Sequence, residues 1–310
     1  MPLRCYVPKN FRADKLDLID KINEVVEEYT KQGYTLTLRQ LYYQLVARGI
    51  IENNMRSYKN TGVLINDARL AGLIDWNAIE DRTRNLKGLS HWKNPQEIIR
   101  SALWQYKKDL WKDQNYHLEV WVEKEALAEV VGKACRPFDV DYFCCRGYVS
   151  QSEMWSAAQR IIDYTNMGKY VSIIHLGDHD PSGIDMSRDI EERLNLFGKH
   201  DGGRLFKTHF IGLNRIALNM DQIEQFNPPP NPAKLTDTRC NKYIEKYGDE
   251  SWELDALEPK VINQLISDAI SIYADEEHMQ RVRDQVECEK EVMERVCDNW
   301  STIMEEYGSY

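Results

Sequence analysis

The segment HLGDHDPSGID (175–185) sets two carboxylates, Asp178 and Asp180, one residue apart between an apolar run and a Pro-Ser-Gly turn. In extended backbone, residues i and i+2 project to the same side, so both acids face one point. Carboxylates that close repel each other unless a cation or a proton lies between them. With a third acid they form the oxygen-only ligand set that magnesium prefers, a set suited to phosphate chemistry. The same residue types also build ordinary turns. Ser182 or Asp180 would serve equally as the cap of a helix opening near Gly183. The rest of the chain has to separate these readings.

From Tyr116 onward the chain alternates. HLEVWV (117–122), VDYFCC (140–145) and YVSIIHL (170–176) read as strands. EALAEVVGKAC, a helix capped by Ser150 with Glu153, and residues 183–197 read as the helices between and after them. Such alternation predicts a mostly parallel sheet with helices on both faces. The acidic turn then lies at a strand's C-terminal end, where open α/β sheets place their ligands. VWVEKEAL (120–127) puts Glu123 at an equivalent strand end, which makes it the third acid. His175 and His179 flank the pair but stay outside the magnesium set, because that ion favours oxygen. Lys124 and Glu125 are placed to assist near a phosphate, though Lys124 reads equally well as an exposed strand-end charge.

The N-terminal part must supply whatever the acids act with. Residues 13–32 have the spacing of an amphipathic helix. Thr37 with Gln40 forms a capping-box pattern that opens a second helix, LRQLYYQLVARG, ending at Gly49. A third helix is predicted over about 61–71, and GLIDWNAIEDRTR after it suits a short hairpin or wing. Helix, turn, helix and wing together predict a winged-helix module. In the second helix Leu38, Leu41, Tyr42, Leu45 and Val46 form the apolar stripe. Tyr42 is therefore core, and Tyr43 falls on the flank, one turn after Arg39 and on its side. A tyrosine nucleophile has to be reachable by a phosphate, and a guanidinium beside it would hold that phosphate. The plain alternative is an interfacial aromatic covering the helix. Arg82 and Arg84, in the wing, suit contacts to a nucleic-acid backbone or simply a solvated surface.

Charge is divided unevenly. Residues 1–110 carry 18 Lys+Arg and 13 Asp+Glu, a net +5, and the other 200 residues carry 22 and 37, a net −15. The overall −10 thus conceals a basic N-terminal part suited to DNA. Seven cysteines without a CxxC give neither a disulfide framework nor a zinc pattern. No apolar run approaches a membrane span, and the first residues lack a signal-peptide core. These features predict a cytoplasmic, DNA-associated protein without a membrane partner. PPPNP (228–232) reads as a rigid loop, and residues 258–310 as helices.

Glu-Lys after the first strand, followed by Asp-x-Asp-Pro-x-Gly, resembles the TOPRIM domain of the topoisomerase VI A subunit and the related meiotic double-strand-break transesterases. TLRQLYY (37–43) is similar to the Arg-x-x-Tyr/Phe-Tyr motif of that family's CAP-like winged helix. RGYVS (146–150) is similar to its glycine-containing turn, with Val149 in place of a proline, and ELDALEP (253–259) to a segment near its C-terminal end. The resemblance covers roughly residues 35–260. It implies an α/β chain with a winged-helix, DNA-binding domain over 1–110 and a Rossmann-like TOPRIM domain with helical extension over 116–310. It implies that Tyr43, with Arg39, attacks double-stranded DNA while Glu123, Asp178 and Asp180 hold magnesium. Arg82, Arg84 and Lys124 would contact DNA. It also implies a homodimer whose site joins one protomer's tyrosine to the other's acids, and a separate ATP-binding B-type subunit for strand passage. Two alternatives stand beside it: a TOPRIM nuclease that activates water, of a defence or mobile-element type, and a winged-helix regulator without catalysis.

Overall fold

The computed structural model describes residues 3–79 and 89–307. Three helices lead the chain: α1 (Ala13–Lys31), α2 (Leu38–Ala47) and α3 (Met55–Leu70). Their apolar faces enclose a core of their own that includes Ile22, Tyr29, Leu41, Leu45 and Ile65. Thr37 caps α2 with the reciprocal Gln40 bonds predicted from the sequence. Helix α3 starts six residues before its predicted start, because the Asn54 side chain accepts from Ser57 N and sets the first turn there. Leu36 and Ile79 form a parallel bridge across the end of this unit. Of the predicted wing (72–84), residues 72–79 form turns that end in this bridge, and the rest, with Arg82 and Arg84, lies outside the described residues.

The helix α4 (Pro95–Gln105) follows, and then the α/β part: β1 (Tyr116–Val122), α5 (Ala128–Cys135), β2 (Asp141–Cys144), α6 (Gln151–Asn166), β3 (Tyr170–Leu176), α7 (Pro181–Asp201), α8 (Gly203–His209) and β4 (Phe210–Ala217). All pairings among these strands are parallel, in the order β2-β1-β3-β4. Alternate residues of the central strands serve opposite faces. Val120, Val122, Ile174 and Leu176 pack under α5 and the later helix α11. Trp121, Val171 and Ile173 pack under α6, α7 and α8. Both faces are covered, so β1 and β3 are almost continuously apolar.

The connection from β1 goes to one side of the sheet and the connection from β3 to the other. Their C-terminal ends therefore border the crevice where an α/β sheet reverses direction. Glu123 and Asp178 stand at these two ends.

The remainder comprises α9 (Met220–Phe226), the short antiparallel pair β5 (Asn231–Pro232) and β6 (Glu250–Ser251) around α10 (Cys240–Tyr247), then α11 (Pro259–Ser271), α12 (Glu276–Asp298) and α13 (Trp300–Tyr307). Helix α4, which the sequence reading places in the 1–110 unit, packs on α12. Gln96 Nε2 donates to Cys297 O at 2.7 Å, and Lys108 pairs with Glu289 at 2.5 Å. Among the described residues no helix is long and apolar enough to cross a membrane.

Candidate functional site: an ionic cluster joining the acidic turn to the tyrosine helix

The acidic turn is fixed from several sides. Glu123 Oε2 accepts from Asp178 N at 2.9 Å, which ties the ends of β1 and β3 together. Asp178 Oδ1 accepts from Leu254 N at 2.8 Å, and Asp178 Oδ2 lies 2.9 Å from Lys124 Nζ. Asp180 Oδ1 accepts from Gly183 N at 2.6 Å and caps α7. From β4, the Arg215 guanidinium donates to the carbonyls of Gly177, Asp178 and Gly183 at 2.9, 2.6 and 3.0 Å. Gly183 sits so close beneath the turn that a Cβ there would collide with the Asp178 carbonyl and crowd Glu123.

Burial and the neighbouring Asp178 charge push the Glu123 carboxyl up to about 7, and Asp180 adds to the effect. Asp178 is raised as well, chiefly by burial, against the opposing pull of Lys124. Glu123 thus senses both acids of the turn. The three do not form a ready-made ion cage, and among the described residues no three His, Cys, Asp or Glu groups do. The reason is local: Asp180 is engaged at the helix cap, while Asp178 serves a lysine and a backbone amide. The capping alternative for Asp180 is therefore what the structure shows.

Lys124 differs from its expected place as a DNA contact. Its ammonium is largely buried and lies within 2.7–2.9 Å of Asp178, Glu253 and Asp255. Glu253 is the extended residue that opens a one-turn helix, Leu254–Ala256, and Asp255 lies within that helix, which packs against α2. There they meet Arg39. Arg39 Nη2 pairs with Glu253 Oε2, and Arg39 Nε lies 2.8 Å from Asp255 Oδ2. Sequence reasoning had quoted this stretch without giving either acid a role. The signal was available, because Glu253 and Asp255 repeat the i, i+2 spacing of Asp178 and Asp180.

Tyr43 also departs from expectation. The nucleophile reading needs it reachable on the flank of α2, yet it is only 5 % exposed, as the alternative of an interfacial aromatic has it. The Leu254–Ala256 turn supplies the cover: Tyr43 packs with Tyr42 and Ala256. The Arg39 guanidinium stands 5.7 Å from the centre of its ring. Its hydroxyl faces Asn231 in a cavity of about 160 Å³ that Arg39, Tyr58 and Glu253 also line. Burial raises the phenol's pKa, and Arg39 offsets this only in part. Tyr42 is core as predicted; its hydroxyl bonds to the Glu52–Asn54 turn. The expected dimeric site would borrow acids from a second copy. Here Arg39 of α2 meets Glu253 and Asp255 of its own chain.

The histidines remain outside the cluster. His175 pairs with Ser187 at 2.9 Å and is pushed down to about 3 by burial. His179 turns away from the acids to Tyr243 at 2.7 Å, and burial lowers it to about 4. Both are neutral at ordinary pH. A scan of protein-family models matched none of them to this sequence, and a search of curated proteins returned no match.

Proposed function

We propose that this chain cleaves DNA phosphodiesters by transesterification at Tyr43, with magnesium, on a winged-helix plus TOPRIM plan resembling the topoisomerase VI A subunit. One observation carries the reading: α2 brings Arg39 and Tyr43 onto the same buried cluster as Lys124, Asp178, Glu253 and Asp255. A phosphoryl-transfer site needs a nucleophile, cations for the phosphate and acids for a metal, and these are the groups assembled here.

The donor atoms are oxygens of the kind magnesium takes, and Asp180 would have to leave the α7 cap to complete the set. Five carboxylates, Glu123, Asp178, Asp180, Glu253 and Asp255, outnumber the three cations Arg39, Lys124 and Arg215. Burial, and after it the neighbouring Asp178 charge, push the Glu123 carboxyl up to about 7. Glu123, Asp178 and Asp180 are the residues that would hold the ion. When bound, magnesium supplies charge neutralisation at a phosphate oxygen. Arg39 holds the phosphodiester and stabilises charge on its equatorial oxygens. Tyr43 Oη gives up its proton and bonds to phosphorus. The displaced ester oxygen of the broken strand takes a proton and leaves as a hydroxyl, and reversal reseals the strand. A double-strand break needs two copies, one cut each; strand passage needs a separate ATPase partner.

Incubation with supercoiled DNA and magnesium tests this. Wild type yields breaks that carry protein covalently on one end, and Tyr43→Phe and Asp178→Ala yield none. A second reading has an observation in its favour, the burial and raised pKa of Tyr43. In it, activated water is the nucleophile and Tyr43 only lines the site. Free ends that persist in Tyr43→Phe would establish hydrolysis and end the tyrosine assignment. Binding without any cleavage would leave the winged-helix regulator.

A further inference from the structure

We infer that Glu253 is a built-in phosphate mimic. It closes a two-cation phosphate subsite, formed by Arg39 and Lys124, until nucleic acid displaces it. This rests on the phosphodiester reading above and adds to it a second cation and a gate.

The three acids around Lys124 are not equivalent. The Asp255 side chain has no exposure and Asp178 has 8 %, whereas Glu253 retains 24 % and borders the cavity beside Tyr43. Asp178 is anchored by Leu254 N as well as by Lys124. Among the described residues Glu253 is held at its carboxylate by the two cations alone: the same Oε2 receives Arg39 Nη2 and, at 2.7 Å, Lys124 Nζ. One anionic oxygen shared by a guanidinium and an ammonium is how such sites grip a phosphate oxygen.

The Arg39 fork is also incompletely used. Its Nη2 is on Glu253, while its Nε approaches Asp255 Oδ2 without the alignment of a hydrogen bond, so both atoms are buried and unsatisfied in that sense. A phosphodiester, with two oxygens in one plane, fills a guanidinium fork that two separate carboxylates do not. Displacing Glu253 costs little desolvation, because its carboxylate already borders the cavity. Displacing Asp255 would strand a fully buried acid. The exposed acid is therefore the one that leaves, and the buried pair stays to keep Lys124 and Arg39 in position.

The test is equilibrium binding of a fluorescein-labelled 20-base-pair duplex, followed by anisotropy in EDTA so that metal plays no part. Wild type is compared with Glu253→Gln, Lys124→Gln, the double variant, and Glu258→Gln as a control for loss of one exposed charge nearby. Glu253→Gln should tighten binding by about tenfold, the scale of one charge-assisted hydrogen bond. It should also steepen the salt dependence, since Arg39 and Lys124 become free to engage phosphate. The double variant should lose most of that gain. Thermal melting confirms that each variant is folded. If Glu253→Gln binds no more tightly than Glu258→Gln, the gate is overturned while the phosphodiester reading stands. If no folded variant binds the duplex, the phosphodiester reading falls and the gate with it.

Discussion

Replacing Glu123 by Gln is expected to stabilise the protein, and only at the higher pH values. Gln preserves the shape of the side chain and an oxygen to accept from Asp178 N, but it cannot ionise. In the unfolded chain Glu123 loses its proton near 4.5; in the folded chain burial and Asp178 hold it until about 7. Below pH 4.5 both states are protonated and the site carries no penalty. As pH rises through the interval, the unfolded chain gives up a proton that the folded chain keeps, so stability falls. Above about 7 the loss is complete. At about 1.4 kcal/mol per pH unit, the interval corresponds to about 3 kcal/mol. Glu123→Gln escapes this loss, so its gain should be small at pH 5 and approach about 3 kcal/mol at pH 8. Urea unfolding from pH 5 to 8 measures it. Adding magnesium at pH 8 provides a second arm. Wild type should recover stability by binding the ion, about 2.7 kcal/mol at a hundredfold excess over Kd, and the variant should recover less. A gain independent of pH, or a loss at pH 8, would refute the assignment of buried excess charge to Glu123.

Two further perturbations probe the same cluster. Lys124→Met leaves Asp178, Glu253 and Asp255 without the ammonium that joins them. It should cost about 3–5 kcal/mol near neutral pH, and less at lower pH, where Asp178, whose carboxyl burial already raises, takes a proton more readily; chemical denaturation at both pH values checks it. Gly183→Ala drives a methyl into the Asp178 carbonyl and toward Glu123. It should cost about 1–3 kcal/mol in the same assay and, by displacing the acidic turn, abolish the DNA cleavage proposed for this chain.

The parts of the site legible in the sequence are those fixed by short-range rules. Thr37 with Gln40 and Ser150 with Glu153 announced two helix starts, because a cap is chosen by residues three apart. The apolar runs of β1 and β3 announced central strands, and their ends placed Glu123 beside Asp178. Strand β4 escaped notice. Its residues are mostly half-buried, and Gly212, Asn214 and Arg215 interrupt the apolar pattern, so neither alternation nor a continuous run stood out. Arg215, which holds the carbonyls of the acidic turn, went with it. Tyr43 was misplaced for a different reason. Helical spacing gives the stripe that faces one partner, and α2 has two: the N-terminal core and the Leu254–Ala256 turn. The ion pairs of Lys124 are hidden from the sequence for a like reason, since two of its three acids arrive from more than a hundred residues downstream.

That distance has a consequence for the chain as it is made. Arg39 and Glu253 are 214 residues apart. At roughly 5–20 residues per second, about 10–40 s of synthesis separates the tyrosine helix from the turn that covers it. During that time α2 can fold onto α1 and α3, but Arg39 has no carboxylate from the 253–255 stretch and Tyr43 has no lid. Lys124 waits as well, holding Asp178 alone. The cluster therefore closes as a late event. A ribosome-bound fragment ending before Glu253 would present an open cationic surface to any polyanion nearby, whereas in the finished protein a polyanion has first to displace Glu253.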